Sequence, residues 1–305
     1  MKVISIGSAI IDMFVRSRDF TVKSTDDGVM LCQKYGSKIE LDSFELHTGG
    51  GGGNTAVGFA RLGFEAAVVA ETGRDLMSKL VIEDLTHEQV ATNYLIKEKK
   101  EETGGSIILT GQDGGRTALV HRGAASQLDP QDIPTEALAK ADWIHLSSVA
   151  GRFLTLQNIF STVKQHQVKI SWNPGSAELK LVADGSLDVN QIYCQILFLN
   201  DEEWLMVAAL QAKLLAQIPM IVVTKGKKGG SVYYRGKLEF DYDILKVDTV
   251  EETGAGDAFA VGFVSAYLHQ KSLLESCEWG KKNAASVVKA VGAKKGLLTL
   301  AKIKS

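Results

Sequence analysis

The chain is short of proline, cysteine and net charge, and each shortage removes a class of protein. Four prolines leave no proline-rich linker, and no repeat or low-complexity tract is visible. The three cysteines, Cys32, Cys194 and Cys277, are odd in number and far apart, so neither a disulfide framework nor a zinc knuckle is expected. They read as buried free thiols, and the expected location is the cytoplasm. With 34 basic and 36 acidic residues, a formal net charge of -2 provides no general field for nucleic acid or an anionic membrane. Any phosphate must be held locally. The most apolar stretch, residues 258–268, is too short to cross a bilayer, and the first residues enter a strand-like run without the apolar segment of a secretory leader.

Two nucleotide-binding signatures are also missing. No Gly-x-x-x-x-Gly-Lys-Ser/Thr occurs, which argues against a P-loop enzyme. After the first apolar run stands Gly7-Ser8-Ala9-Ile10-Ile11-Asp12 rather than Gly-x-Gly-x-x-Gly, which argues against a dinucleotide-dependent oxidoreductase.

What is present is a core-forming α/β pattern, with 45% hydrophobic residues. Short apolar runs at 3–6, 66–70, 143–146, 168–172, 196–199 and 220–223 alternate with helical patterns such as 55–62, 76–86, 153–166 and 202–216. This alternation implies a mostly parallel sheet covered on both faces. Residues 13–46 and 93–122 break the rhythm with short alternating segments, including paired strands at 105–110 and 117–121 around Gln112-Asp113-Gly114-Gly115. They read as an inserted β-layer, a lid beside the ligand crevice. The mixed charges of residues 97–102 read as a solvated hairpin edge.

The most informative segment is Thr253-Gly254-Ala255-Gly256-Asp257-Ala258-Phe259. Small residues precede a helix that is apolar on nearly every side, so its N-terminus should be buried, with amides and glycines offered to an anion. Asp257 in the first turn suits either the helix dipole or a base that accepts a hydroxyl proton beside a phosphate. The five glycines Gly49 to Gly53, followed by Asn54 and a helical pattern, read as a loop-to-helix junction rather than a linker. Asp12 follows the first strand, where it either solvates the strand end or holds two neighbouring hydroxyls. Asn200-Asp201-Glu202-Glu203 and Thr224-Lys225-Gly226-Lys227-Lys228-Gly229 each follow a strand. Asn200 fits a helix cap, and the lysines fit either phosphates or a solvated turn.

Together these segments resemble, in order and over nearly the whole chain, the PfkB family of carbohydrate and nucleoside kinases. The resemblance implies a ribokinase-like three-layer α/β/α body spanning residues 1–305, with a small β-sheet lid from insertions at about 13–47 and 93–122. It implies an ATP-dependent phosphotransferase that uses Mg2+, with Asp257 as catalytic base and Gly254, Ala255 and Gly256 as anion hole. Asp12, Gly50, Gly51 and Asn54 are then substrate contacts. Asn200, Glu203, Thr224, Gly226 and Gly229 belong to the nucleotide side, with Glu203 acting on magnesium indirectly. Asn283, in Asn283-Ala284-Ala285-Ser286, matches the helix lining the adenine pocket. Arg122, where the lid returns to the body, is either a surface residue or a contact for an acidic acceptor. A homodimer through the lid is a further implication.

The departures concern substrate and ion. Ile10 and Gly51 stand where ribokinases carry Asn and Lys, which speaks against ribose. Glu251 replaces the family's Asp at a monovalent-cation site, leaving potassium activation open. A sugar or sugar-like polyol is the first expectation for the acceptor and a nucleoside the second. The alternative of another class is a non-catalytic ligand-binding module on the same fold.

Overall fold

Strands buried on both faces need helices above and below them. The computed structural model describes residues 1–26, 28–97 and 100–305. Glu98 and Lys99, within the charged run expected as a hairpin edge, lie outside the described residues. In chain order the strands are β1 (Lys2–Ile6), β2 (Ile10–Arg16), β3 (Thr21–Thr25), β4 (Gly28–Cys32), β5 (Ser43–Gly49), β6 (Glu65–Thr72), β7 (Ala91–Lys97) and β8 (Gly105–Thr110). They continue with β9 (Arg116–His121), β10 (Trp143–Leu146), β11 (Ile170–Trp172), β12 (Ile196–Asn200), β13 (Met220–Thr224), β14 (Gly230–Tyr234) and β15 (Lys237–Tyr242). The helices are α1 (Gly51–Arg61), α2 (Leu76–His87), α3 (Thr135–Ala139), α4 (Phe153–Gln165), α5 (Ser176–Ala183), α6 (Asp201–Met206), α7 (Gln211–Gln217), α8 (Ala255–Leu268), α9 (Leu273–Val287) and α10 (Leu300–Lys304).

The main sheet has nine strands in the order β15-β14-β13-β12-β11-β10-β1-β6-β7. All ladders from β13 to β7 are parallel, and β14 and β15 add an antiparallel edge. One hydrophobic cluster joins Val3, Trp143, Phe198 and Val222 to α1, α8 and α9; a second joins Ile4, Ile144, Leu197 and Ile221 to α4, α5 and α7. Alternate residues of the same strands thus feed opposite cores, giving three layers. The strand order turns back at β1, which has β6 and β7 on one side and β10 to β13 on the other. By the rule for open α/β sheets, the ligand crevice is expected there, at the C-terminal ends of the strands.

A separate four-stranded sheet, β5-β2-β8-β9, draws on both inserted regions, and β3 and β4 form a hairpin of their own. Two boundaries differ from the sequence reading. Strand β2 starts at Ile10, and residues 93–97 lie in β7 of the main sheet, because Tyr94 and Ile96 pack against the second core. The helical pattern over 202–216 is also interrupted. Helix α6 ends at Met206: the backbone of the next residue, Val207, leaves helical geometry (φ -107°, ψ 23°) while its side chain is buried in the second core, and α7 begins at Gln211.

Candidate active site

The floor of the crevice is built from glycines because nothing larger fits. Gly50 caps α1 in the left-handed region (φ 89°), and a Cβ there would lie 2.6 Å from the Ser8 carbonyl oxygen. A Cβ on Gly51 would lie 2.8 Å from Cβ of Ser147, the residue that follows β10. Ser8, just after β1, fixes the loop: its hydroxyl accepts from the Gly51 amide (3.1 Å) and its carbonyl from the Gly53 amide (3.1 Å). The glycine run is therefore a close-packed loop-to-helix junction.

That junction brings two carboxylates together. Asn54, nearly fully buried in the first turn of α1, donates from Nδ2 to Oδ2 of Asp257 at 2.9 Å. The position a Cβ would take on Gly51 is 3.8 Å from Oδ1 of Asp257, while one on Gly49 would run into the carboxylate of Asp12. Asp12 and Asp257 thus stand at the two ends of the tripeptide 49–51. Asp12, on β2, accepts a hydrogen bond from the Ser106 hydroxyl on the neighbouring β8, and burial raises its pKa against that bond and the nearby His47 and Lys294 charges. Burial pushes the Asp257 carboxyl up to about 6, with the Asn54 hydrogen bond opposing the shift. Oδ1 of Asn54 and Oγ of Ser147 are buried without a partner among the described residues. Such atoms beside a carboxylate suit a polar ligand.

Asp257 sits in the first turn of α8, which is buried from Ala258 to Ala266. Gly254 caps the helix in the left-handed conformation (φ 82°), pressed against Ala293, whereas the α-carbon of Gly256 faces open space. The Ala255 amide donates to the Glu252 carbonyl (3.2 Å), so of the first amides of α8 those of Gly256 and Asp257 are the ones left to meet a ligand.

On the other side of the crevice, Asn200 and Thr224 end β12 and β13 and pair in register. Asn200 and Glu203 form a reciprocal cap: Oδ1 of Asn200 accepts from the Glu203 amide (2.8 Å), and the Glu203 carboxylate from the Asn200 amide (2.8 Å). Burial holds the Glu203 pKa above the ordinary carboxylate value. Gly226 borders open space, and Gly229 is forced to be glycine because a Cβ would collide with the Tyr242 carbonyl.

Two expected contacts are placed elsewhere. Asn283 is fully buried, donating to the Ala258 carbonyl (2.8 Å) and accepting from the Leu298 amide (2.9 Å), so its amide group links α8 to α9 and is not presented to a ligand. Arg122 is exposed beyond the end of β9, and it is Arg116, at the other end of that strand, that meets acidic groups.

Comparison with known proteins gives this geometry its context. The sequence matches the pfkB family carbohydrate kinase pattern over residues 1–300. The chain belongs to this family. It is 23% identical to a ribokinase of Staphylococcus aureus, over 99% of this chain and 98% of that protein. It is 26% identical to a nucleoside kinase of Methanocaldococcus jannaschii, over 88% and 87%. The crystal structure of the Methanocaldococcus jannaschii nucleoside kinase superposes with a TM-score of 0.81 at 22% identity, covering 99% of this chain and 96% of that one. Arabidopsis thaliana ribokinase complexed with ribose and ATP superposes with a TM-score of 0.79 at 21% identity, covering 99% and 97%. This pfkB-family protein therefore has the ribokinase fold.

Sequence reasoning missed several residues that fix the loops of this pfkB-family fold. Glu178 is fully buried and accepts from the Ser148 hydroxyl (3.0 Å) and the amides of Val149, Gly151 and Gly175 (2.8–2.9 Å), tying together the loops after β10 and β11. Ser8, Ser106 and Ser147 are equally ordinary in sequence; only their places across the fold, against Gly51, Asp12 and Gly51 respectively, distinguish them.

Proposed function

We propose that this protein transfers the γ-phosphoryl group of ATP to a hydroxyl of a sugar or sugar-like polyol. The observation that carries this reading is Asp257: a partly desolvated carboxylate in the first turn of a buried helix, oriented by Asn54 and facing a floor too narrow for side chains. The acceptor lies against Asp12, Gly50, Gly51 and Asn54, and the nucleotide along Asn200, Glu203, Thr224, Gly226 and Gly229. Asp257 takes the acceptor's proton as its oxygen bonds to the γ-phosphorus and the bond to ADP breaks. The α8 amides stabilise charge on the moving group. Among the described residues no group of three His, Cys, Asp or Glu side chains is placed to hold a metal. Magnesium would then be held mainly by the nucleotide's phosphates and water, with Glu203 acting through a water.

Because the base must be unprotonated, kcat/KM is expected to rise with pH through about 6 and then level off. Asp257 is protonated below that value and inactive. A profile flat from pH 5 to about 8, measured with a saturating second substrate, contradicts the assignment. Asp12→Ala is expected to raise the acceptor KM by ~10-fold or more while the ATP KM stays unchanged, since a charged hydrogen-bond acceptor is lost from one subsite. An unchanged acceptor KM removes Asp12 from the site.

A nucleoside is the second reading for the acceptor. On the sheet face that carries Asp12, the lid places Ser106, Ala118 and Val120 beside the buried Ile108, a partly apolar surface suited to a base. The opposite face exposes Phe44, Leu46, Ile107 and Leu119, with Met13 between them. This apolar face supports the proposal of a homodimer through the lid. Leu119→Glu is expected to convert the dimer to monomer in sedimentation, and a wild-type chain that already sediments as a monomer contradicts it.

A further inference from the structure

The acidic segment just before the anion hole is neutralised from the lid. Glu251 is buried, and its carboxylate accepts from the amide (2.9 Å) and hydroxyl (2.7 Å) of Thr253. It also pairs with the guanidinium of Arg116, which opens β9 at the tip of the lid hairpin. The other arm of that guanidinium is 3.8 Å from Glu252, whose second oxygen is 3.7 Å from Lys227 on the loop after β13. Lid, anion-hole segment and candidate nucleotide loop are therefore joined by one chain of charges. Behind it the backbone is pinned, with the amides of Val250 and Glu251 both donating to the Val288 carbonyl (2.8 and 3.1 Å).

A buried carboxylate needs a compensating charge. In the family pattern this position, there an Asp, belongs to a monovalent-cation site, where a dissolved ion would supply it. The residues here do not fit that arrangement, because a guanidinium already occupies the carboxylate. We propose that Arg116 is a positioning residue that orders the segment 251–254, and with it the anion hole, as the lid closes, in place of a monovalent cation. The catalytic consequence rests on the kinase reading; the ordering of the segment does not.

The test measures amide hydrogen exchange in residues 250–256, without substrates, in potassium chloride and in tetramethylammonium chloride at equal ionic strength. Wild type is expected to exchange equally in the two salts. Arg116→Gln is expected to exchange faster in tetramethylammonium and to regain protection in potassium, and Arg116→Lys to lie between. Turnover measured in parallel is expected to be independent of potassium in wild type. In Arg116→Gln without potassium it should fall ~10-fold or more in kcat, the loss of one charged hydrogen bond. The proposal is overturned by potassium-dependent exchange in wild type, or by an Arg116→Gln chain whose segment exchanges as in wild type or gains no potassium dependence. Absence of turnover with every acceptor counts against the kinase reading alone, since the exchange arm uses no substrate.

Discussion

Asp257→Asn is expected to reduce turnover by at least ~10²-fold while ATP binding is retained, because the amide keeps the shape of the site and cannot accept the acceptor's proton. Melting at pH 8 is expected to be no lower than in wild type. Burial holds the Asp257 carboxyl at about 6, above its ordinary value of 3.8, so between these values the folded chain binds the proton that the unfolded chain releases. Stability contributed by this group therefore falls as pH rises through that window, and at pH 8 the ionised carboxylate is a burden that the amide lacks. Calorimetry and an ADP-release assay on the same preparation separate the two effects. Near-normal turnover in the variant eliminates Asp257 as the base.

Gly254→Ala is expected to damage both the fold and the chemistry. Gly254 has φ 82°, and a Cβ would lie 2.5 Å from the Ala293 Cβ and 2.8 Å from its Cα. A left-handed alanine costs about 1–2 kcal/mol and overpacking a further ~1–3 kcal/mol. The melting temperature should fall by roughly 3–8 °C. Residual folded enzyme should lose at least ~10²-fold in turnover, since the start of α8 moves away from the reacting phosphoryl group. A variant with wild-type melting and turnover shows that the α8 terminus is not held by this contact.

The layers of the fold were legible because strands buried on both faces read as unbroken apolar runs, as in Ile196–Leu199 and Met220–Val223. Edge positions were not. Residues 93–97 look like part of the lid until Tyr94 and Ile96 find the second core. The break at Val207 carries no proline or glycine to announce it. In the site, Asp257 and the glycine junction could be read locally because a helix terminus and close backbone approach demand particular residue types, while Asn54 was marked only by the family resemblance; the structure brings Gly51 and Asn54 against Asp257. Asn283 could not, since an amide that satisfies the Ala258 carbonyl and the Leu298 amide looks in sequence like one available to a ligand. Arg116 could not either. Its partner Glu251 is distant along the chain, and the turn Gln112–Gly115 beside it suggests only a hairpin tip.

The most direct test of the account is ADP release from Mg-ATP, followed with wild-type protein against pentoses, hexoses, sugar acids, inositols, sugar phosphates and nucleosides. The account predicts strong acceptor-dependent turnover with one class, and a phosphomonoester product. Measurable ATP binding with no acceptor-dependent turnover across the whole panel contradicts it, and points instead to a ligand-binding module on the kinase fold.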